Sequence, residues 1–416
     1  MLTRPVIVVG GSYVGINVAQ QLAANAEGRF RVLLIEKNSH FQHLFAFPRF
    51  AVTTKVNTQK AFIPFKPGVF ANAPPGSGDV VQAAVTDLTD SHVKLDRAVQ
   101  FDGEQLDRIP YSYLVMATGT KLRPPSNMLG SEKLDGVNYL RKHAESVQES
   151  QSMVIIGGGA VGVQLATDAK ELYPGKSITL VHSREKVMNR FHPRLHQLIE
   201  ERCKELGVDL VLGSRVKLPP QGYPNSGEEF EVELLDGRRI PSDFAVICNG
   251  QTPQSEILRS ISPQCIDAQG FIRMKKTLQI DDDNYQNVFA LGDIAATAAH
   301  KAARPALRQA EIARANVIHS IAGEPLEDYE VTDPAAIHLT LGITKSVIFR
   351  NPLPGSDEPV IIPKDDGKLD MGIDAVWDRR GGGQILCYEI CRLKHLTLPT
   401  FARQIEGQRM AEAVLG

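Results

Sequence analysis

The sequence predicts an α/β chain built on parallel, doubly wound sheets, with a small α+β domain at its C-terminal end. Three observations carry this. A short apolar run enters a glycine turn and a helix-patterned stretch at residues 5–25. The same arrangement is written again from residue 152. From about Val331 the pattern changes to strict alternation.

"PVIVVGG" (5–11) is almost continuously apolar, which suits a parallel strand buried on both faces. Ile16, Ala19, Leu22 and Ala23 then share one helical face. "RVLLIEKN" (31–38) is a second buried strand ending in an acid. The later copy, "SMVIIGGGAVGVQLATDAKELYPGKSITLVHSR" (152–184), runs strand, glycine turn, helix, strand in the same order. A whole unit repeated in one chain is far more specific than either turn alone. Each copy reads as a Rossmann-like dinucleotide-binding unit.

In such a turn the first glycine permits the bend. The second lets a pyrophosphate approach the backbone, and the third lets helix and strand pack. The helix N-terminus then offers unpaired N–H groups to the phosphates. The second turn is complete, with Gly157, Gly159 and Gly162. The first has Gly10, Gly11 and Gly15 but Ser12 at the middle place, which predicts a slightly displaced pyrophosphate and a working site. Glu36 ends the second strand, placed to accept from both ribose hydroxyls of an adenosine. The second copy has His182, Ser183 and Arg184 there. No carboxylate repels a 2′-phosphate, and Arg184 is available to pair with one. Such a charge-assisted bond contributes about 1.5–3 kcal/mol, or roughly ten- to a hundredfold in affinity. NADPH is therefore expected over NADH. Two units imply two dinucleotides: FAD in the first, a nicotinamide cofactor in the second, with hydride passing to the flavin.

"YLVMATGTKLRPP", "DFAVICNGQTPQ" and "NVFALGDIAA" are apolar strands running into polar glycine turns. The prolines at 124 and 125 and the turn at 250–253 read as crossings between domains. The expected division is an FAD-binding domain of residues 1–121 and 246–330, an NAD(P)H-binding domain of 122–245 and a C-terminal α+β domain of 331–416. In the last, "IHLTLGITKSVIF" alternates as an antiparallel strand should, and "GGGQILCYEI" is another strand. Residues 351–371 read as an exposed excursion, and "PTFARQIEGQRMAEAVLG" as a closing amphipathic helix.

The composition excludes several classes. A chain of 416 residues holds two or three domains, and 43% hydrophobic with 23% charged residues is ordinary for a globular protein. A net charge of −2 gives no reason to bind nucleic acid. No apolar run approaches a spanning helix, and "MLTRP" fits neither a signal peptide nor a myristoylation site. The five cysteines, at 203, 248, 265, 387 and 391, form no Cys-x-x-Cys, which points to reduced thiols in a cytoplasmic setting. No metal is expected: His192 and His196 lack partners at ligand spacing. Ser12 is not in a hydrolase elbow.

At "GGSYVG…IEK", "VMATGT", "GGGAVG…VHSR" and "NVFALGDIA" the chain resembles the two-dinucleotide-binding-domain flavoproteins of the pyridine nucleotide–disulfide oxidoreductase-like superfamily. "KELYPGKSITLVHSREKVM" and "AEIARANVIHSIAGEPLEDY" are most similar to its apoptosis-inducing factor-like mitochondria-associated branch, also called ferroptosis suppressor protein, and to type II NADH dehydrogenases. The resemblance covers residues 5 to about 350 and is loose beyond. It implies that Glu36 and Lys37 lie at the FAD adenosine, Arg49 near the FAD phosphates and the backbone around Ala83 near the adenine. It places Thr118 and Gly119 at the close of the FAD domain, and Gly292 and Asp293 at the ribityl chain. Lys301 would fall beside the isoalloxazine. Gln164 stands where the family usually has Glu near nicotinamide and flavin, so it can hydrogen-bond but cannot relay a proton. Gln164 and Lys301 are the candidate catalytic residues, and Arg304, Arg308 and Gln309 would face the acceptor.

"SHFQHLFAFPRF" holds no cysteine pair, so electrons do not leave through a disulfide there. Three functions remain. The first is an NAD(P)H oxidoreductase reducing a quinone or related small organic acceptor. The second is a flavin-dependent tailoring enzyme or monooxygenase. The third is a redox-sensing flavoprotein of the apoptosis-inducing type, against whose DNA-binding version the near-neutral charge weighs. Residues 398–415 have few large apolar side chains, so membrane contact is expected to be peripheral at most, mitochondrial association included. A monomer or a homodimer fits equally.

Overall fold

The computed structural model describes residues 4–380. Val6–Val9 forms the middle of a five-stranded parallel sheet, with Val32–Glu36 and then Gly78–Gln82 on one side, and Tyr113–Met116 and then Val288–Ala290 on the other. Its continuous apolar run has the cause expected of parallel strands, since both faces are covered. Val6 and Val8 pack into one core with Ile16, Leu22 and Phe289. Ile7 and Val9 pack into another with Leu114, Ile272 and Ile280.

The second unit repeats the plan. Ser152–Ile156 lies between Ser177–Val181 and Phe244–Ile247, and Asp209–Val211 extends the sheet beyond Ser177–Val181, all parallel. Each sheet also carries an antiparallel insertion: Val85–Leu88, His92–Phe101 and Glu104–Pro110 in the first, Phe230–Glu233 and Arg239–Ser242 in the second.

The chain passes between the halves through a two-stranded ribbon, Thr120–Lys121 against Thr252–Pro253. Helix Lys133–Glu149 bridges them, with Val137 and Leu140 in the first half's core and Val147 in the second's.

The C-terminal part holds an antiparallel sheet, Ala336–Thr340, Ser346–Arg350 and Val360–Lys364. The last strand corrects the reading of residues 351–371 as a plain excursion. It is an edge strand containing Pro363, and most of its side chains stand partly exposed, so neither composition nor alternation marks it. Helix Ile373–Arg379 follows, and Trp377 Nε1 donates to the Lys60 carbonyl at 2.7 Å, which fastens this segment to the first half. The strand expected at "GGGQILCYEI", the closing helix, Cys387 and Cys391 lie outside the described residues. Among the described residues, no helix is long and apolar enough to cross a membrane.

Candidate dinucleotide sites

The two turns share one backbone plan. Gly10 and Gly157 have φ of +104° and +124°, a region that disfavours side chains. A Cβ at Gly10 would stand 2.4 Å from the Ala117 carbonyl oxygen, and one at Gly157 2.9 Å from that of Cys248. A Cβ at Gly15 or Gly162 would strike the preceding turn's carbonyl at 1.7 or 1.9 Å. At Gly11 it would meet Glu36, which ends the neighbouring strand, at 2.8 Å, and at Gly158 Val187 at 2.6 Å and His182, which follows the neighbouring strand, at 2.8 Å.

The middle position is different. Ser12 (φ −90°, ψ −160°) and Gly159 (φ −84°, ψ −178°) share an extended backbone open to any residue. A Cβ at Gly159 meets nothing within 4 Å. The fold therefore accepts Ser12, and only a ligand laid against the turn would feel its side chain. Neither helix N-terminus has a side-chain cap or an acid in its first turn. Orphan amides so presented suit a pyrophosphate.

The strand-end residues do the same work with opposite chemistry. Glu36 is buried, and its carboxylate accepts from the Gly11 N–H, from Asn38 N at 2.8 Å and from Asn38 Nδ2 at 2.6 Å. Its orientation is thereby set. In the second turn the Gly158 N–H donates to His182 Nδ1 at 3.0 Å. Burial, and then the nearby Arg184, pull the His182 pKa below the ordinary histidine value, so the ring stays neutral and able to accept. Ser183, Arg184 and Lys37 are exposed.

The other expected FAD residues converge on the first turn. Ala83 N donates to the Glu36 carbonyl at 3.0 Å. Gly292 (φ +79°) has Val14, in the first turn of helix Tyr13–Ala24, as its nearest neighbour. Asp293 beside it is half-buried, and burial raises its pKa while Lys301 lowers it. The Lys301 ammonium donates to the Ala295 carbonyl and stands 4.6 Å over the Phe271 ring. Thr118 and Gly119 sit at the crossing, where Thr118 Oγ1 donates to the Gln254 carbonyl at 2.7 Å.

Three expectations change. Arg49 does not present its guanidinium to a phosphate. It is 1% exposed and clamps Asp168 at 2.6 and 2.9 Å, with further bonds to the Gly342 and Lys368 carbonyls. Gln309 is turned inward. It is buried, its Oε1 accepting from Gly292 N at 2.7 Å, so it holds the turn that carries Asp293. Arg308 pairs with Glu311 on the helix surface at 2.7 Å, and the Arg304 side chain lies outside the described set. Gln164 is buried against Asp168 and Met371, with Nε2 3.7 Å from Sδ.

Sequence reasoning missed one group beside the first turn. Tyr13 Oη and His43 Nδ1 share a hydrogen bond of 3.0 Å, and Arg380 lies 4.1 Å over Phe41. Burial pushes the Tyr13 hydroxyl pKa up and pulls His43 down to about 4. The aromatic and histidine spacing of "HFQHLFAF" was the available signal. Cys203, Cys248 and Cys265 are free thiols, and burial pushes the first two up to about 12. No group of three or more potential metal ligands occurs among the described residues.

The family profile described as pyridine nucleotide-disulphide oxidoreductase matches residues 4–316. The chain is 33% identical over 398 residues to Fe-regulated protein 8 of Mycosarcoma maydis, covering 91% of this chain and 95% of that one. It is 29% identical to ferroptosis suppressor protein 1 of Mus musculus, covering 82% and 86%. Among solved structures, the sulfide:quinone oxidoreductase of Aquifex aeolicus shares the fold, with a TM-score of 0.70, 18% identity and coverage of 91% and 92%.

Proposed function

The chain belongs to the pyridine nucleotide-disulphide oxidoreductase family, whose members bind FAD and NAD(P)H, and on that premise we propose that it oxidises NADPH and reduces a small, quinone-like organic acceptor. One observation carries the cofactor assignment: the same turn occurs twice, read by an oriented carboxylate at Glu36 and by a neutral imidazole beside Arg184 at His182. The acid suits the free ribose hydroxyls of FAD, and the Arg184 side suits a 2′-phosphate.

FAD when bound supplies hydride acceptance and onward electron transfer. The chain's own residues bind and orient. The turn at 10–15 and the helix N-terminus behind it would hold the pyrophosphate, and Asp293, braced through Gly292 by Gln309, would meet the ribityl chain. Gln164 hydrogen-bonds without supplying a proton, so a proton for the acceptor comes from another group, with Lys301 the candidate. The lack of any cysteine in residues 39–50 argues against electrons leaving through a disulfide there. The scattered cysteines support a cytoplasmic setting, and membrane contact is peripheral at most.

The test is to reduce the flavin-loaded protein anaerobically with NADPH and then offer a short-chain quinone or oxygen. Reoxidation by the quinone supports the reading. Rapid reoxidation by oxygen with a hydroxylated product overturns the acceptor and favours a monooxygenase.

A further inference from the structure

A cavity of about 500 Å³ lies where three segments meet. Arg190 lines it from the loop before helix Pro193–Leu206, and residues 297–301 line it from the link between Asp293 and helix Ala303–Ala322. Residues 331–335, which lead into strand Ala336–Thr340, complete it. Junctions of this kind, and volumes of roughly 300–1,000 Å³, are where small ligands bind. The junction is pinned by Phe191, whose ring meets His300 edge-on at 5.0 Å.

The wall is chemically divided. Arg190, His300 and Lys301 line it, and among the described residues the only acid lining it is Asp333. Burial, and then Arg190, pull the His300 pKa down; burial also pulls Lys301 down, against Asp293 and Asp267, with Arg190 adding a smaller push in the same direction. Asp293 and Asp267 favour the charged form of Lys301. Arg190 is exposed and makes no ion pair among the described residues. Val331, Pro334 and three alanines supply the apolar remainder. A guanidinium without an ion-pair partner among the described residues, in a lining otherwise partly apolar, matches a ligand with one anionic head and an apolar body.

We propose that this cavity binds an amphipathic organic carboxylate, its head on Arg190 and its body against Val331 and Pro334. No residue of either glycine turn lines the cavity, although Lys301, the candidate proton donor, forms part of its wall, and binding is read in the oxidised protein without turnover.

The test uses the oxidised, FAD-loaded protein and ligand-observed NMR, with hexanoate and octanoate as probes and hexanol and octanol as neutral counterparts. The carboxylates are expected to bind, and the alcohols at least tenfold more weakly. R190Q should weaken carboxylate binding at least tenfold, and D333N should tighten it. Both positions are exposed, so neither substitution threatens the fold. Saturating NADP⁺ should leave binding in place. No carboxylate binding, equal binding of the alcohols, an unaffected R190Q, or displacement by NADP⁺ would each overturn the proposal, the last by giving these cations to the dinucleotide. Flavin bleaching by NADPH, followed on the same sample, reports separately on the oxidoreductase reading.

Discussion

Gly159 and Gly162 stand three residues apart in one turn and answer to different masters. Gly162 is demanded by the fold, because a Cβ there would lie 1.9 Å from a carbonyl oxygen. Gly159 has open space, so only a bound dinucleotide needs it bare. G162A is therefore expected to lower the urea midpoint sharply, while G159A keeps the midpoint and raises the Kd for NADPH. Equal stability losses in both would contradict this division. Ser12 belongs with Gly159, and S12G should leave stability within about 1 kcal/mol of the parent, the cost of a glycine's extra freedom. Glu36 is read differently. E36A strands the buried Gly11 amide, which costs about 1–3 kcal/mol. It should also weaken FAD retention, measured by flavin fluorescence on dilution; unchanged retention would remove Glu36 from the site. For Arg184, R184A should reduce the NADPH-to-NADH ratio of kcat/KM by roughly ten- to a hundredfold. An unmoved ratio would mean that the side chain points to water. These turn residues were legible in the sequence because backbone geometry and phosphate chemistry both restrict residue type. His182 was found by its place in the repeat, but the bond it accepts from the Gly158 amide was not, since nothing in the spacing says that an imidazole nitrogen replaces a carboxylate oxygen there.

Between residue and domain stands helix Lys133–Glu149, which holds the halves together through His143. Nδ1 of His143 donates to the Ala51 carbonyl at 2.7 Å, and the ring meets Phe244 edge-on at 5.1 Å. Burial pulls His143 from 6.5 down to about 4, and His40 and His43 share that value for the same leading cause. A folded-state pKa below the unfolded one means that the unfolded chain takes up protons first as pH falls. The stability these histidines contribute is present above about 6.5 and is lost as pH drops toward about 4. The urea midpoint should fall between pH 7 and pH 4.5, less steeply in H143Q, whose amide can still donate to Ala51. A slope unchanged by H143Q would remove His143 from the account. At this scale the parallel strands announced themselves, because burial on both faces writes an unbroken apolar run. Strand Val360–Lys364 did not, being an edge strand with a proline inside it.

Over the whole molecule, the joint that matters most is the one least visible in sequence. Arg49 and Asp168 are 119 residues apart and 1% and 0% exposed, and they meet only because the two halves pack. Their bidentate bond ties the first half to the second unit's helix Ala160–Leu172, while the Gly342 and Lys368 carbonyls bring in the C-terminal part. Removing one partner leaves a buried charge unpaired, so D168N should cost about 3–5 kcal/mol. R49M/D168L, which removes both charges, should recover much of it. A double variant as unstable as D168N would assign the loss to packing. The pair also stands one helical turn from Gln164, so its loss should change how the halves present the nicotinamide side to the flavin side.

Two copies of one unit in this chain are expected to hold two different dinucleotides. The direct measurement is an anaerobic titration of the purified protein with NADPH, with flavin content and bound nucleotide counted per chain. One FAD per chain, bleached by about one equivalent of NADPH, is the predicted result. A protein that remains colourless after incubation with excess FAD, or a bound flavin that NADPH leaves oxidised, would contradict the account.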